Sequence, residues 1–339
     1  MKPFLPDLSH IYIVDGAMDY PLAHNVIERY PRAERITVPD YKMVFNRKGQ
    51  DFIKQKNSIK LILAIKKPPF IYPSTDILQD AGFENFTYTT PLLNCLYNCQ
   101  YCFLQGMYPS ANLVAFVNEE DFFLEAKKSI DLRKNKNQPL ALSISYNTDL
   151  MAFENIIPFC KRWIEFTREQ KDITIEIRTK SAFSSSLNNV VPHENIILGW
   201  TLSPDAVIEQ YEWDTPPLEK RIQAVREMME KGWKVRLCFD PIMTIDHWQD
   251  VYAEFLDNVF SSIPAERIYD VVVGVFRMNK DFFQRARKRE PKVDIYYKQY
   301  EMTDSVLSIS SDELDNVRSF FDKALSNYIE KSKIDVWGR

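Results

Sequence analysis

The sequence predicts an α/β fold: a parallel sheet that forms a partial (β/α)6 barrel of the TIM type, with an N-terminal α/β cap and a C-terminal helix. From residue 86 onward, six short apolar runs alternate with segments of helical spacing, which is typical of a parallel sheet with right-handed crossovers. Several of these runs consist of β-branched and large apolar residues, as expected for strands covered on both faces. Six strands, five of them followed by a helix, favour an incomplete barrel over a closed barrel of eight.

Residues 1–85 are predicted to form the cap. Residues 11–14 and 61–65 are predicted strands because they are short and rich in apolar and β-branched side chains. Residues 21–30 are predicted to form a helix. The prolines in residues 66–69 are expected to end the cap, since a residue before proline avoids the helical region.

The predicted barrel occupies residues 86–292. Its predicted strands are residues 86–90, 139–145, 173–178, 196–202, 234–240 and 270–276. Its predicted helices, which follow five of the six strands, are residues 119–133, 153–170, 218–231, 247–260 and 280–289. Active sites of parallel α/β sheets lie at the carboxyl ends of the strands, so we expect the functional residues there.

Residues 293–339 depart from this alternation and are predicted to form a C-terminal extension. Residues 294–308 are rich in tyrosine and are expected to form a hairpin or a loop. Residues 312–329 carry apolar side chains at helical spacing, which predicts a helix that packs on the barrel.

The composition narrows the possible functions. The chain has 339 residues and a formal net charge of −4, so no global basic field attracts nucleic acid, although a local basic cleft remains possible. It has eight glycines and neither of the glycine motifs that bind nucleotide phosphates. It has no apolar run of about 18 residues that could span a membrane and no signal segment at the N-terminus. We expect a cytoplasmic monomer without a membrane partner.

Three of the five cysteines, Cys95, Cys99 and Cys102, fall within eight residues. The first predicted barrel strand leads directly into them. Iron–sulfur clusters are held by cysteine thiolates, usually four for a cubane. Three close thiolates therefore predict a cluster with one iron left open to a substrate or cofactor. A cluster in a reducing cytoplasm fits these cysteines better than a disulfide framework does.

Two other interpretations of the cysteines stay open, namely a structural zinc site and a chance grouping. A structural zinc site needs four closed ligands, and neither Cys160 nor Cys238 stands at a ligand spacing from the other three. Both are expected to be buried apolar fillers. The histidines are scattered along the chain, at His10, His24, His193 and His247.

The CxxxCxxC spacing, with Tyr101 just before the third cysteine, resembles the radical S-adenosylmethionine (SAM) superfamily. The resemblance implies a 4Fe-4S cluster on the three cysteines, with an open iron that binds SAM. It implies reductive cleavage of SAM to methionine and a 5′-deoxyadenosyl radical. An electron donor such as flavodoxin or ferredoxin would then be a partner.

A narrower resemblance, to the spore photoproduct lyase family, extends from the N-terminal region to about residue 292. It rests on residues 99–105 (Cys-Gln-Tyr-Cys-Phe-Leu-Gln), residues 145–149, residues 218–222, and residues 240–243 with Trp248. The resemblance implies a DNA repair lyase that cleaves a thymine–thymine crosslink in UV-damaged DNA. In that family the adenosyl radical removes a hydrogen from the lesion, the crosslink bond breaks, and a protein hydrogen donor quenches the product.

Three departures from the family's pattern concern the substrate. Matching Ser145 and Asp149 to the family puts Tyr146 at the position of the hydrogen-donor cysteine. The family has a relay tyrosine on either side of the third cluster cysteine, whereas this chain has Tyr101 on one side and Phe103 on the other. The family's Arg-Tyr motif, which inserts into damaged DNA from a hairpin, is absent from residues 296–305.

Tyr146 has two interpretations. As a catalytic group, its phenolic O–H at a strand end could supply a hydrogen atom in place of a thiol. As a structural group, a tyrosine at a strand end packs its ring and leaves its O–H in water. Tyr101 is predicted to act in the relay, as the family's pattern implies.

Polar side chains at the ends of the barrel strands are predicted to bind SAM, because hydroxyls can pair with its methionyl and ribose oxygens. The candidates are Ser143, Ser145, Lys180, Thr201, Ser203 and Asp240. The resemblance implies that Lys180 faces the cofactor, and it matches Thr201 to a serine of the family. Asp240 replaces a small residue there. Each candidate could instead be an ordinary polar group at a strand end.

Two basic groups could contact a nucleic-acid backbone or could be solvated surface. The first contains residues 285–289, with the sequence Arg-Ala-Arg-Lys-Arg, together with Lys292. The second contains Arg47, Lys48, Lys54 and Lys56.

The sequence therefore supports three hypotheses. The first is a radical SAM lyase that acts on damaged or modified DNA. The second keeps the radical chemistry but changes the substrate to a peptide or small molecule, because the lesion motif and part of the relay are missing. The third is a non-catalytic iron–sulfur protein that carries electrons or senses oxygen. The predicted polar strand ends argue against the third, since a carrier needs no substrate cavity.

Overall fold

The computed structural model describes residues 7–75 and 78–337. In chain order, its strands are β1 (His10–Val14), β2 (Glu34–Val38), β3 (Leu61–Ala64), β4 (Ile71–Pro73), β5 (Phe86–Thr89), β6 (Leu92–Leu93), β7 (Asn98–Cys99), β8 (Leu113–Phe116), β9 (Leu140–Ser143), β10 (Ile173–Thr179), β11 (Ile196–Thr201), β12 (Glu212–Trp213), β13 (Lys234–Ile242), β14 (Ile268–Val275), β15 (Arg277–Asn279), β16 (Glu301–Thr303), β17 (Val306–Ser308) and β18 (Ile334–Trp337). Its helices are α1 (Pro21–Arg29), α2 (Lys42–Phe45), α3 (Phe52–Lys56), α4 (Leu104–Met107), α5 (Glu119–Leu132), α6 (Leu150–Phe153), α7 (Phe159–Arg168), α8 (Asp205–Tyr211), α9 (Leu218–Glu230), α10 (Trp248–Ser262), α11 (Lys280–Arg289) and α12 (Ser311–Leu325).

The larger sheet confirms the predicted partial barrel. Its strand order is β18-β14-β13-β11-β10-β9-β5-β4, and all neighbouring strands are parallel except β4 and β5. The six predicted strands are β5, β9, β10, β11, β13 and β14, and they lie side by side. Within the described residues, β4 and β18 form two edges, so the sheet is open.

The smaller sheet has the order β2-β1-β3-β8-β6. Three of its strands come from the predicted cap, and the predicted strands at residues 11–14 and 61–65 are β1 and β3. The other two, β8 and β6, come from beyond residue 85, so this sheet joins segments on both sides of the predicted boundary. The division at residues 85 and 292 stays a prediction.

Helix formation follows the sequence pattern except at one proline. Four of the predicted barrel helices correspond to α5, α9, α10 and α11. The prediction of one helix over residues 153–170 is wrong, because the chain forms α6 and α7 on either side of Pro158. Proline has no backbone N–H and disfavours the helical region before it. The carboxylate of Glu154 instead accepts hydrogen bonds from the backbone N–H groups of Cys160 (2.7 Å) and Lys161 (2.8 Å), at the start of α7.

The C-terminal segment contains the expected hairpin. Strands β16 and β17 pair antiparallel, and the two residues between them, Asp304 and Ser305, have φ of 48° and 67°. Positive φ at both positions is typical of a type I′ turn, which fits the twist of a hairpin. Helix α12 packs on α10, with 5.2 Å between the ring centroids of Phe320 and Trp248. The strand that follows, β18, was not predicted.

The barrel strands are buried as the sequence pattern predicts. Every residue of β11 is buried, and β14 is buried from Val271 to Val275. This continuous burial explains why these strands are apolar runs without alternation. Among the described residues, no helix has both the length and the apolar character needed to cross a membrane.

Candidate active site

A cavity of about 390 Å³ lies at the carboxyl ends of the barrel strands. Side chains from the ends of four strands line it, and these include Ser143, Lys180, Thr201 and Asp240. The segment that follows β5 forms the opposite side. This is the position in which parallel α/β sheets carry their active sites.

The cysteine loop, residues 95–102, is held in place from several directions. Strand β7 pairs antiparallel with β12, so that Cys99 is the partner of Glu212. The side-chain amide of Gln105 donates to the Cys99 carbonyl oxygen at 3.1 Å. The ammonium group of Lys56 donates to the carbonyl oxygens of Cys95 (2.9 Å) and Tyr97 (2.8 Å). These contacts fix the loop before any ligand binds.

All three cysteines of the loop line the cavity. Burial raises the pKa of their thiols, that of Cys95 to about 12. A metal that coordinates such a thiol removes its proton outright. The three side chains therefore form a donor set of the soft, thiolate type that iron–sulfur clusters require.

The donor set fits a cubane better than a single ion. Within residues 7–75 and 78–337, no group of three or more histidine, cysteine, aspartate or glutamate side chains is arranged to hold one metal ion. In a cubane each thiolate binds a different iron, so the ligands need not converge on one point. Cys160 and Cys238 are buried and do not line the cavity, so they offer no fourth ligand for a structural zinc site.

Behind the cysteine loop lies a buried network centred on Glu212. The Tyr101 hydroxyl donates to Glu212, and the Ser203 hydroxyl donates to Glu212 Oε1 at 2.8 Å. Glu212 also forms an ion pair of 2.5 Å with Arg221, and both side chains are fully buried. Burial alone would raise the pKa of Glu212, but Arg221 and Lys180 outweigh it and lower the pKa, so the carboxylate stays charged.

Five of the six predicted SAM-binding residues line the cavity, and they are Ser143, Ser145, Lys180, Thr201 and Asp240. The sixth, Ser203, is not brought to it, because its hydroxyl donates to Glu212 behind the loop. The sequence analysis did not single out Glu212. That residue belongs to a two-residue strand, which no periodicity in the sequence marks.

Asp149 was used in the sequence analysis only to align the family's motif, but it also shapes the cavity wall. Its carboxylate accepts hydrogen bonds from the Thr179 hydroxyl (2.7 Å) and from the backbone N–H of Lys180 (2.7 Å). It also accepts from the backbone N–H of Ala152, at the start of α6. Asp149 thereby fixes the end of β10, from which Lys180 projects with its ammonium group 5.5 Å from the centroid of the Tyr101 ring.

Asp240 lies between two arginines in the cavity wall. Its carboxylate accepts from Arg178 at 3.1 Å and from Arg277 at 3.0 Å. Burial raises the pKa of Asp240, but Arg277 and Arg178 outweigh that effect and lower it. All three side chains line the cavity. Nothing in the sequence analysis predicted that Arg178 and Arg277 would meet there.

Tyr146 lies between two aromatic rings and lines the cavity. Its ring centroid is 4.6 Å from that of Tyr88 and 5.4 Å from that of Phe103. Burial, followed by the neighbouring Tyr88, raises the pKa of the Tyr146 phenol. The phenol therefore keeps its O–H proton across the working pH range. Two positions that depart from the family's pattern, Phe103 and Tyr146, are thus in direct contact.

The first basic group is partly structural. Arg285 Nε donates to the Gly106 carbonyl oxygen at 2.6 Å, and Arg289 donates to the carbonyl oxygens of Gln105 and Tyr108. These bonds join α11 to the end of α4, where a Cβ on Gly106 would overlap the Phe282 carbonyl oxygen. Arg285 is exposed despite this bond, and Arg287, Lys288 and Lys292 are exposed as well.

The second basic group divides in a similar way. Lys56 supports the cysteine loop and lines the cavity. The side chains of Arg47, Lys48 and Lys54 are exposed, and Lys54 lies 3.7 Å from Asp51. Neither basic group is therefore a single uninterrupted charged surface.

Residues 4–336 match the family model described as "Spore photoproduct lyase". The spore photoproduct lyase of Bacillus subtilis (strain 168) is 22% identical to this chain over 294 residues, which cover 85% of this chain and 82% of the relative. The spore photoproduct lyase of Geobacillus sp. (strain Y412MC61) is 22% identical over 303 residues, which cover 87% and 85%.

Solved structures share the fold over almost the whole chain. A cysteine-to-serine variant of spore photoproduct lyase matches with a TM-score of 0.82 at 18% identity, covering 99% of both chains. A variant of that enzyme with bound AdoMet and dinucleoside spore photoproduct matches with a TM-score of 0.81 at 17% identity and the same coverage. At these identities the likeness concerns the fold.

Proposed function

Because this chain belongs to the spore photoproduct lyase family, we propose that it is a radical SAM lyase that repairs UV-damaged DNA by cleaving a thymine–thymine crosslink. One observation carries the proposal. Cys95, Cys99 and Cys102 line the same cavity as the polar side chains at the strand ends. A cluster on the thiols and a substrate among the strand ends would therefore share one enclosed space.

The three cysteines would hold the 4Fe-4S cluster, and the cavity wall beside them would hold SAM. When bound, the cluster supplies one electron to SAM and so generates the 5′-deoxyadenosyl radical. Lys180, Ser143, Ser145 and Thr201 would bind the polar groups of SAM, as donors and acceptors at the ends of neighbouring strands. Asp149 would hold Lys180 in position through the backbone bond described above.

Tyr146 would be the hydrogen donor of this enzyme. After hydrogen abstraction from the lesion and cleavage of the crosslink bond, the product radical would take one hydrogen atom from the Tyr146 O–H. The phenoxyl radical left on Tyr146 would be returned to the phenol by one electron from the external electron donor and one proton. The Tyr146 phenol retains its O–H and faces the cavity. Phe103, which contacts its ring, has no O–H to give. Tyr101 donates its own O–H to Glu212, so it would act as a relay held by that carboxylate.

DNA is the proposed macromolecular partner, and a flavodoxin or ferredoxin is the proposed electron donor. An open cluster and unpaired cysteines suit a reducing compartment such as the cytoplasm. The exposed basic residues Arg287, Lys288 and Lys292 are available for phosphate contacts. We propose that the protein acts as a monomer.

A second candidate keeps the radical chemistry but acts on a peptide or small molecule. It is favoured by the absence of the Arg-Tyr motif, although the hairpin itself is present as β16 and β17. What this chain lacks is therefore the motif and not the hairpin. The third candidate, a non-catalytic electron carrier, is disfavoured by a cavity of about 390 Å³ beside the cysteines.

Anaerobic reconstitution with iron, sulfide, dithionite and SAM tests the proposal. We expect 5′-deoxyadenosine, measured by chromatography, and we expect its release to rise with UV-irradiated DNA but not with intact DNA. Failure to form any 5′-deoxyadenosine would contradict both radical hypotheses. Formation that does not respond to irradiated DNA would favour the peptide or small-molecule substrate.

A further inference from the structure

The same cavity is also lined by an ordered array of hydrogen-bonding groups, Arg178–Asp240–Arg277. Asp240 Oδ2 accepts from Arg178 Nη1 at 3.1 Å, and Asp240 Oδ1 accepts from Arg277 Nη1 at 3.0 Å. The three residues come from β10, β13 and the start of β15. Their side chains are 24%, 10% and 15% exposed, so each retains some access to the cavity that it lines.

The surroundings hold this array in place. The amide oxygen of Gln79 accepts from Arg178 Nη2 at 3.2 Å, and the Val275 carbonyl accepts from Arg277 Nη1 at 3.0 Å. Gly274 leaves the space that Asp240 occupies, since a Cβ there would lie 2.7 Å from Asp240 Oδ1. The array is therefore rigid, as recognition by directed hydrogen bonds requires.

We infer that this array recognises the imide edge of a pyrimidine base in the substrate. The two guanidinium groups are donors only, and the carboxylate between them is an acceptor only. The array thus presents donor, acceptor and donor in order. The imide edge of thymine or uracil, O=C–NH–C=O, presents acceptor, donor and acceptor. Cytosine has no N3–H and would leave the carboxylate facing a lone pair.

The hydrogen-bonding groups of Asp240 and the arginines suit a contact with the imide edge of a base. A carboxylate offers about four acceptor positions, and Asp240 uses three of them on the arginines, at 3.0, 3.1 and 3.5 Å. A guanidinium group carries five N–H donors in a planar fork, which suits simultaneous contacts to Asp240 and to a carbonyl oxygen.

A second arginine–aspartate pair shows what a purely structural arrangement looks like in this barrel. Arg236 binds Asp270 through two bonds of 2.6 Å, and neither residue lines the cavity. The Arg178–Asp240–Arg277 array, in contrast, lines the cavity with all three of its members. Asp270 provides a control, because its loss breaks an ion pair of a buried arginine that reaches the array only through Glu176, whose Oε1 lies 2.9 Å from Arg236 and 3.5 Å from Arg178.

The array also lies near the proposed hydrogen donor. After burial and Tyr88, the groups that act on the pKa of the Tyr146 phenol are Arg277, Cys102 and Asp240. Tyr146, Cys102 and the array all line the one cavity. A base held by the array would lie within the same space as Tyr146 and Cys102. This inference rests on the proposed function, since it specifies how that site would hold its substrate.

Binding without turnover tests the inference. Reconstituted protein with SAM but without reductant is dialysed anaerobically against dinucleoside spore photoproduct or its N3-methylated derivative, in which the imide hydrogens are replaced. We expect the wild-type protein to bind the parent compound at least about tenfold more tightly than the methylated one. In Asp240→Ala the parent and the methylated compound should bind almost equally. Arg277→Gln should also reduce the ratio of the two affinities. Asp270→Ala should retain the wild-type ratio.

Three outcomes would overturn the inference. One is a wild-type protein that binds both compounds equally or binds neither. Another is an Asp240→Ala variant that folds and still prefers the imide. The third is tighter binding of the dinucleotide, which carries a phosphodiester, than of the dinucleoside, together with a still larger preference for the dinucleotide in Asp240→Ala. That result would make the array an anion site. Failure of the proposed function is seen separately, as the absence of 5′-deoxyadenosine when reductant is added.

Discussion

The two walls of the cavity are built from the sequence in different ways. The cysteine wall comes from one loop of eight residues, and the spacing of its thiols is visible in the sequence. The second wall, which carries the Arg178–Asp240–Arg277 array, comes from β10, β13 and β15, and the array exists only once these strands are brought together. The chemistry that starts the reaction is therefore encoded locally, whereas the contacts proposed to select the substrate depend on the whole fold.

The largest expected effect is on the cysteine wall. Replacing Cys99 with alanine removes one cluster ligand, so we expect loss of the cluster and a fall of 5′-deoxyadenosine formation to background. Iron content, visible absorbance and chromatography measure these losses. Cys160→Ala is the matched control, because it removes a buried thiol that does not line the cavity. A Cys99→Ala variant with normal iron content and normal 5′-deoxyadenosine formation would remove the cluster assignment.

The sheet was predictable because its strands are long, apolar and buried on both faces. Strand β11, for example, is buried at every position, which matches its apolar run in the sequence. The shorter elements were not predictable. Strands β7 and β12 have two residues each, and β18 joins β14 across a long separation in sequence. Their pairing depends on tertiary contacts that no local pattern records.

The residues of the candidate site also divide into those that the sequence predicts and those that it does not. The prediction for Cys95, Cys99 and Cys102 rests on their spacing alone, and the structure brings all three to one cavity. Asp240 was singled out as a polar strand end, but its arginine partners belong to distant strands. Glu212 was missed entirely, because the residues that make it important, Tyr101 and Arg221, are brought to it by the short pairing of β7 with β12.

A smaller effect, on the yield of repaired product, is expected at Tyr146. Replacing Tyr146 with phenylalanine keeps the ring contacts but removes the O–H. Phenylalanine has no O–H to give, so we expect the yield of repaired product to fall steeply. SAM cleavage should continue, so the ratio of 5′-deoxyadenosine to repaired product should rise.

The control for Tyr146 is Tyr72→Phe. Tyr72 stacks on Tyr88 with 5.1 Å between ring centroids and does not line the cavity. Its replacement should leave the ratio of 5′-deoxyadenosine to product unchanged. Unchanged turnover in Tyr146→Phe would exclude Tyr146 as the hydrogen donor and leave it with a packing role.

The smallest expected effect concerns the Arg178–Asp240–Arg277 array. The variant Gly274→Ala tests whether the geometry of the array matters as well as its composition. In Gly274→Ala the new Cβ would meet Asp240 Oδ1 at 2.7 Å, so the carboxylate must shift although every member of the array remains. A shift of a few tenths of an ångström weakens directed hydrogen bonds without removing them. We expect the affinity for dinucleoside spore photoproduct to fall about threefold to tenfold, and formation of 5′-deoxyadenosine without substrate to stay normal. Gly199→Ala is the control, because its Cβ would press on Cys238 Sγ at 3.3 Å and would reach the array only at the Arg178 Cα, at the ordinary contact distance of 3.7 Å. Equal affinities of the two variants for dinucleoside spore photoproduct would mean that the position of Asp240 does not select the substrate. The two walls would then differ in how the sequence builds them, and the proposed role of the array in substrate selection would be lost.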